Sequence, residues 1–212
     1  MKRYVFKTLD STNDEAKRII RRGDICDNGE GKNFLIISAA QSAGRGQHGR
    51  RFFSPEGGLY MSVGIELAGQ TGNSFITQSI AVAAARSIED LYGVRLTIKP
   101  VNDLFFNRKK TGGILVETDV HYGAEKCFAV AGIGINLCRP SGGFPQDIAC
   151  IAGYVLEEKI CTFDEIISLA EDIAQRIISF CGNFGEESII SDYLARTSEY
   201  ERSLAVLPVG GV

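Results

Sequence analysis

Hydrophobic and polar positions near the start of the chain are spaced as in strands, with one helix between them. Tyr4, Phe6 and Thr8 alternate with Val5 and Lys7, as in a half-buried strand. The stretch DSTND (10–14) then offers several N-cap residues for a helix. The runs NFLIISAA (33–40) and LYMSVGIEL (59–67) are apolar and of strand length. The pattern therefore predicts a strand, a capped helix and two further strands.

The middle of the chain predicts a second helix followed by more of the sheet. Apolar residues recur at helical spacing from Ser74 to Tyr92, and Gly93 is placed to end that helix. Four strands are expected after it: VRLTI (94–98), DLFF (103–106), GGILVETDV (112–120) and KCFAVAGIGINL (126–137). The last two are expected to be neighbours in the sheet.

After Pro145 the pattern becomes helical. Thr162 and Glu165 form a capping box at the start of a long amphipathic stretch, and a further helix is expected over about 186–196. Residues 203–212 predict a short strand and a flexible or truncated end. Because no repeat or long linker interrupts the pattern, we predict one α+β domain over 1–200, a mixed, largely antiparallel sheet backed by helices, with a short tail over 201–212.

Composition narrows the classes of function. The chain has 212 residues, 44 % of them hydrophobic, and a net charge of −3, so nothing global favours nucleic acid, and any anion site must be local. No apolar run is long enough for a signal peptide or a membrane span. The six cysteines form no C-x-x-C pair, which disfavours zinc. We expect buried, reduced cysteines and a cytoplasmic protein without membrane contact.

One local concentration of positive charge lies in AGRGQHGRRFFSP (43–55), the glycine-arginine loop, which joins two predicted strands. Its glycines permit close backbone approach to a ligand, and its arginines can neutralise phosphate or carboxylate. The spacing matches neither a Walker loop nor a dinucleotide-binding turn. Two interpretations remain open at this point: a solvated surface loop or an anion-binding loop.

Three other segments carry complementary chemistry. DSTN (10–13) can cap a helix or bind a small polar ligand. KPVNDLFFNRKKTGGILVE (99–117) places Asp103 and Lys110 near two glycines, and AGIGIN (131–136) alternates glycine with apolar residues, which suits a strand that something approaches closely. Together these segments indicate an enzyme that joins two anions, such as a carboxylate and the α-phosphate of a nucleoside triphosphate.

In order and spacing these motifs resemble those of biotin protein ligases, also called biotin–[acetyl-CoA-carboxylase] ligases. The resemblance covers roughly residues 4–200 and rests on DSTN, Q-x-x-GRG-x-x-GR-x-x-x-SP-x-GGLY-x-S, K-x-x-ND-(x)6-K-x-GGILVE and GIGIN. It implies the biotin–lipoate ligase fold, which is similar to that of class II aminoacyl-tRNA synthetases. It also implies two reactions: biotin and MgATP give biotinyl-5′-AMP, and a lysine of a biotin carboxyl carrier domain then takes the biotin. ATP and Mg²⁺ are implied, with no bound prosthetic group.

The resemblance also implies roles for individual residues. Biotin is expected to contact Ser11, Thr12, Asn13, Gln41, Gly44, Arg45, Gly113, Leu115 and Gly132. ATP and the adenylate are expected to contact Gln47, Arg50, Phe52, Asn102, Asp103, Lys110 and Asn136. Lys110 is expected to be the catalytic lysine, assisted by Arg45 and Arg50, and Asp103 a magnesium ligand. Phe52 and Phe53 are expected to help seal the loop over the adenylate.

The chain departs from the family pattern at identifiable positions. Gln47 stands where the family commonly has a second arginine, Pro100 replaces a tryptophan, and the loop aromatic is Phe52 in a chain without tryptophan. Two alternatives follow: a lipoate or octanoate protein ligase of the same fold, and a non-catalytic biotin-binding protein.

The ends of the chain shape the expected partners. DSTN begins at Asp10, which leaves no room before it for the DNA-binding winged helix of repressor members, so no DNA partner is expected. Too few residues follow SEYER (198–202) for the family's C-terminal SH3-like barrel, which is therefore expected to be absent or truncated. A homodimer through a sheet edge is compatible with the family.

Overall fold

Seven strands and four helices make up the part of the chain that the computed structural model describes, residues 1–24, 33–67, 75–122, 126–157 and 159–205. The strands are β1 (Lys2–Leu9), β2 (Phe34–Gln41), β3 (Leu59–Leu67), β4 (Thr97–Lys99), β5 (Asp103–Phe106), β6 (Lys109–Tyr122) and β7 (Lys126–Ile135). The helices are α1 (Thr12–Arg22), α2 (Ile76–Tyr92), α3 (Phe163–Phe180) and α4 (Glu187–Ala205).

The strands form one sheet in the order β1-β2-β3-β7-β6-β5-β4. Only the β1–β2 pair is parallel among the described strands, and the remaining pairs are antiparallel. The prediction of a mixed, largely antiparallel sheet is confirmed. β6 and β7 are neighbours, as expected, and the glycine-arginine loop connects β2 to β3.

Helices pack against both faces of the sheet. Successive strand residues point to opposite sides, so one strand contributes side chains to two separate cores. Leu35 and Ile37 of β2 pack in the larger core, with α2 and α3. Phe34 and Ile36 pack in a smaller core with the apolar side of α1. The helix α1 therefore lies alone on the face where its amino end can reach the middle strands.

Helix boundaries follow the predicted signals. The Ser11 hydroxyl caps α1 by accepting from the Asp14 amide at 3.4 Å, and Gly93 ends α2 in the left-handed region at φ 66°. The capping box of Thr162 and Glu165 is present at the start of α3. The charge-assisted hydrogen bonds from Lys159 and Thr162 hold the pKa of the Glu165 carboxyl at about 2.

The last helix is longer than predicted, and the strand expected from Ser203 onward is wrong for Ser203–Ala205, which form the end of α4. Tertiary contacts extend the helix. The Tyr200 ring packs edge-on against Phe105 of β5 at 4.8 Å. The buried Arg196 guanidinium donates to the Leu96 carbonyl at 2.9 Å. The predicted boundary between 200 and 201 lies inside this helix, and residues 206–212 lie outside the described residues.

The described cysteines are all free thiols, and they differ in burial. Cys138 and Cys161 are buried, as predicted, and burial together with the neighbouring Cys138 thiol raises the pKa of Cys161 to about 12. The prediction is wrong for Cys150, which is exposed because it lies in a short turn segment at the surface. Cys26 lies outside the described residues. None of the helices in the described ranges is long and apolar enough to cross a membrane.

Candidate active site

A cavity of about 230 Å³ lies where the amino end of α1 meets the glycine-arginine loop and the strands β6 and β7. The predicted site residues in its lining are Ser11, Thr12, Asn13, Gln41, Arg45, Gln47, Arg50, Phe52, Asn102, Asp103, Lys110, Gly113, Leu115, Gly132 and Asn136. Gly44 is not part of the lining. The fold thus brings together residues of all four predicted segments, from DSTN near the start of the chain to AGIGIN more than a hundred residues later.

The inner end of the cavity is a buried polar surface, which we call the polar floor: Ser11, Thr12, Asn13 and Gln41. The first three side chains are at most 4 % exposed. The Thr12 amide donates to Gln41 Oε1 at 2.8 Å, and Gln41 Nε2 donates to the Ser54 hydroxyl at 3.0 Å. These bonds orient the Gln41 amide before any ligand arrives.

Asn13 is held from both ends of its amide. Its Nδ2 donates to Glu117 Oε2 at 2.8 Å and to the Leu115 carbonyl at 3.3 Å. Its Oδ1 accepts from the Ser62 hydroxyl at 2.6 Å. A Cβ atom on Gly132 would lie 2.1 Å from Asn13 Oδ1, so only glycine leaves room for this amide. The close approach predicted for the AGIGIN strand is thus made, at this glycine, by a side chain of the protein.

The glycine-arginine loop is ordered by its own backbone hydrogen bonds. The Phe52 amide donates to the Gly44 carbonyl at 2.9 Å, and the Gly46 amide donates to the Arg50 carbonyl at 2.7 Å. A Cβ atom on Gly44 would meet the Phe52 carbonyl oxygen at 2.5 Å, so this glycine permits packing within the loop. The Phe52 ring lies against Gly134, where a Cβ atom would be 2.7 Å from it. The loop is thus ordered by internal contacts and lines the cavity, while Arg45, Arg50 and Arg51 stay exposed to solvent.

Arg45 ties the loop to α1. Its guanidinium donates to Asp14 Oδ1 at 2.7 Å, and Lys17 Nζ lies 2.8 Å from the same oxygen. Lys17 also pairs with Glu117 at 2.9 Å, which connects this cluster to the carboxylate that holds Asn13. Burial alone would raise the pKa of the Asp14 carboxyl, but the hydrogen bonds from Lys17 and Arg45 outweigh it and lower that pKa.

The outer part of the cavity is positively charged. We call Arg50, Arg51 and Lys110 the cationic rim. In the described part of the chain neither Arg50 nor Arg51 has a carboxylate partner, and the contact of Arg50 Nε with the Gln47 carbonyl is long, at 3.4 Å. Lys110 Nζ pairs with Asp103 Oδ1 at 2.6 Å. The rim therefore keeps hydrogen-bond donors available for an anion.

Two amides lie near the rim. Asn102 Nδ2 donates to the Ile114 carbonyl at 2.9 Å, and Asn136 Nδ2 donates to the Gly153 carbonyl at 3.0 Å. Both side-chain nitrogens are used in this way, and the amide oxygens accept no hydrogen bond from the described residues. No group of three His, Cys, Asp or Glu side chains is placed to hold a metal within the described ranges. The protein alone therefore offers oxygen ligands but no closed metal site.

Sequence reasoning missed an apolar wall formed by the segment 144–152. Phe144, Ile148, Ile151 and Ala152 line the cavity. The backbone of this segment is tied to β6, because the Lys110 amide donates to the Ile151 carbonyl at 2.9 Å. The segment has no helical or strand periodicity, so the only signal available in the sequence was its scattered apolar residues.

Comparisons with known proteins agree with this geometry. The profile of the Biotin/lipoate A/B protein ligase family matches residues 5–136. The bifunctional ligase/repressor BirA of Salmonella typhimurium is 30 % identical over 197 residues, which cover 91 % of this chain and 57 % of that protein. The biotin–[acetyl-CoA-carboxylase] ligase of Paracoccus denitrificans is 31 % identical over 141 residues, covering 63 % and 54 %. The chain spans about half the length of the curated relatives it matches.

The same fold occurs in solved structures. The biotin protein ligase of Leishmania major in complex with biotin aligns with a TM-score of 0.72 at 25 % identity, covering 99 % of this chain and 86 % of that one. In complex with biotinyl-5-AMP the same enzyme aligns with a TM-score of 0.73 at 22 % identity, covering 100 % and 85 %. The expected biotin–lipoate ligase fold, of the class II aminoacyl-tRNA synthetase type, is confirmed.

Proposed function

Because the chain belongs to the Biotin/lipoate A/B protein ligase family, we propose that it activates biotin with ATP and transfers it to a lysine of a carrier protein domain. The polar floor binds the ureido head of biotin, the walls contact its ring and alkyl chain, and the cationic rim receives its carboxylate and the phosphates of ATP. The carrier is a biotin carboxyl carrier domain of a biotin-dependent carboxylase.

One observation carries the choice of biotin: a buried, hydrogen-bonded polar surface at the inner end of a cavity with a charged outer rim. A ureido group offers two N–H donors and one carbonyl acceptor to such a surface. A dithiolane ring or an octanoyl chain offers neither, so the remaining lone pairs and N–H groups of the polar floor would meet no hydrogen-bond partner on the ligand. A site built to hydrogen-bond its ligand rejects an analogue without those groups by about 10⁴-fold or more.

In the first step the biotin carboxylate attacks the α-phosphorus of ATP. A bond forms between the carboxylate oxygen and phosphorus, and the bond from phosphorus to pyrophosphate breaks. Two unit negative charges 4 Å apart repel by about 4 kcal/mol near a protein surface, which opposes this approach. Lys110 and Arg50 offset the repulsion, and Lys110 stabilises charge as it develops on the phosphate.

The oxygen donors near the rim fit a magnesium ion that enters together with ATP. Mg²⁺ is commonly held by one or two carboxylates and by phosphate oxygens rather than by a complete protein cage. Asp103 is the carboxylate here, and the amide oxygens of Asn102 and Asn136 accept no hydrogen bond from the residues that the structure describes. The ion would supply positive charge to the triphosphate.

In the second step the ε-amine of a carrier lysine attacks the acyl carbon of biotinyl-5′-AMP, an amide bond forms, and AMP leaves. Water must be kept from the anhydride between the two steps. Phe52 and Phe53 of the loop and Phe144 of the opposite wall line the cavity and exclude it. The Phe53 and Phe144 rings lie 6.5 Å apart, edge to face, so loop and wall already meet.

The direct test is incubation of the chain with biotin, MgATP and an apo carrier domain, with the carrier mass measured by mass spectrometry. We expect a mass increase of one biotin that depends on ATP and is lost when the target lysine of the carrier is replaced by arginine. ATP–pyrophosphate exchange that responds to lipoate and not to biotin would assign the chain to the lipoate ligases. Biotin binding by calorimetry without any exchange would identify a non-catalytic biotin-binding protein.

A further inference from the structure

Ser62 of β3 lies behind the polar floor and is fully buried, outside the cavity lining. Its hydroxyl oxygen is 2.6 Å from Asn13 Oδ1 and 2.8 Å from Thr12 Oγ1, so it contacts two residues of the polar floor at once. Ser62 is also the cross-strand partner of Gly132, the residue whose missing side chain makes room for Asn13. The motif GGLY-x-S includes this serine, but the sequence gave it no role beyond that of a strand residue.

The direction of these hydrogen bonds follows from counting protons. The Asn13 nitrogen faces two acceptors, the Leu115 carbonyl and the Glu117 carboxylate, so the oxygen of that amide must face Ser62. An amide oxygen cannot donate. The single hydroxyl proton of Ser62 is therefore used on Asn13.

Thr12 must consequently direct its own proton into the protein. The contact between Ser62 and Thr12 is a hydrogen bond only if Thr12 donates, because the Ser62 proton is already used. The other acceptor within reach of the Thr12 hydroxyl is Gln41 Oε1, at 3.2 Å, which also belongs to the protein. In either arrangement Thr12 has no proton left for the cavity and presents only lone pairs to a ligand.

We infer that Ser62 is a positioning residue that makes Thr12 a hydrogen-bond acceptor, so that the polar floor selects a ligand with an N–H group at this point. The inference rests on the proposed function, in which that ligand is the ureido head of biotin. Without the Ser62 hydroxyl, Thr12 keeps as internal acceptor only Gln41 Oε1, at 3.2 Å and already bonded to the Thr12 amide, so its proton can turn toward the cavity and oppose the N–H of the ureido group. Asn13 Oδ1 would lose its donor in the same change.

The test compares Ser62→Ala with Ser38→Ala by titration calorimetry with biotin, and separately with ATP. Ser38 is a matched control: it is a fully buried serine on the neighbouring strand β2, and its hydroxyl donates at 2.6 Å to the Ala40 carbonyl rather than to a side chain of the polar floor. Loss of one buried hydrogen bond should lower the melting temperature of both variants similarly. We expect Ser62→Ala to weaken biotin binding about tenfold or more, Ser38→Ala to change it less than about twofold, and neither to change ATP binding.

A double-mutant cycle with Thr12→Val separates positioning from general destabilisation. If Ser62 acts through Thr12, the loss of biotin affinity in the double variant is clearly smaller than the product of the two single losses. Independent losses that multiply, or equal effects of Ser62→Ala and Ser38→Ala on biotin, would overturn the positioning role. If Ser62→Ala fails to fold, Ser62→Cys, which keeps a weak donor in similar volume, replaces it in the same cycle. Wild-type protein that does not bind biotin would instead overturn the proposed function.

Discussion

The polar floor and the cationic rim line the same cavity but differ in how completely the protein satisfies them. On the floor, the Asn13 amide is bonded at both ends, and Gln41 is held by Thr12 and Ser54. On the rim, Arg50 and Arg51 have no carboxylate partner in the described part of the chain, and both side chains are exposed.

This difference matches two kinds of recognition. A neutral head group gives little binding energy per hydrogen bond, so its site must be oriented before binding and shielded from water. A triphosphate brings several charges, and flexible cations can follow it as charge moves during the reaction. The floor is therefore expected to control affinity for biotin, and the rim is expected to control the rate of adenylate formation.

The largest effect should follow from removing the rim lysine. Lys110→Ala is expected to lower the rate of biotin-dependent ATP–pyrophosphate exchange by about 10²–10³-fold, since it removes charge stabilisation from the transition state. Biotin affinity by calorimetry should change by less than about threefold. Lys7→Ala, which removes an exposed lysine from β1 outside the cavity lining, is the control for net charge. Equal losses of rate and affinity would place Lys110 in ground-state binding instead.

The next effect should come from the floor. Gly132→Ala puts a methyl group 2.1 Å from Asn13 Oδ1 and should displace that amide. We expect biotin affinity to fall about tenfold to a hundredfold and the free energy of unfolding to fall by about 1–3 kcal/mol, the usual range for an overpacked site. Gly142→Ala is the control, because nothing lies within 4 Å of its added Cβ atom. Unchanged biotin binding in Gly132→Ala would show that Asn13 is not needed for recognition.

A smaller effect is expected where rim and floor meet, at the cation that ties the loop to α1. Arg45→Ala should release biotinyl-5′-AMP roughly fivefold faster, measured by stopped-flow or by filtration of the labelled intermediate. Initial biotin affinity should change less than the release rate does. Release at the wild-type rate would exclude the loop arginine from retention of the intermediate.

The smallest effect concerns the partner of that arginine. Asp14→Asn removes two ion pairs of one carboxylate, with Arg45 and with Lys17. Only the pair with Arg45 ties the loop to α1, and a pair between part-exposed groups is worth about 0.2–1 kcal/mol, so release should rise about twofold. The lowered pKa of Asp14 means that its ion pair is intact above the ordinary carboxyl value and is lost only as pH falls through the lowered one. The difference between wild type and Asp14→Asn should therefore be constant from about pH 5 to pH 8. If Arg45→Ala acts and Asp14→Asn does not, Arg45 contacts the adenylate directly.

Most of the fold could be predicted, because local patterns control it. The apolar run of β3, the capping box at Thr162 and the helix-ending Gly93 are each signalled by adjacent residues. The carboxyl end of α4 was mispredicted because its last turns depend on Tyr200 meeting Phe105, which is far away in sequence. Leu91, one of the apolar residues in the last turn of α2, is half exposed.

The residues of the candidate site also fall into two groups, those whose role the sequence predicted and those whose role only the structure revealed. Motif residues such as Thr12, Gln41 and Lys110 were identified from the sequence because chemical groups at fixed spacing carry the family resemblance, and they share one cavity. Ser54, Ser62 and Glu117 also lie within the motifs, but their spacing and side-chain type gave them no predicted role in the site. Each acts on a partner in another element, and a hydrogen bond between distant segments leaves no periodic trace in the sequence.

The sequence by itself determined the order of elements, the family and the set of polar and cationic groups available for chemistry, because spacing and side-chain type are local properties. The tertiary structure decided which of those groups are buried and satisfied and which remain open to an anion. It also decided which atoms donate and which accept: Thr12 can be either in isolation, and its contacts with Gln41 Oε1 and with the buried Ser62, whose proton is committed to Asn13, make it an acceptor.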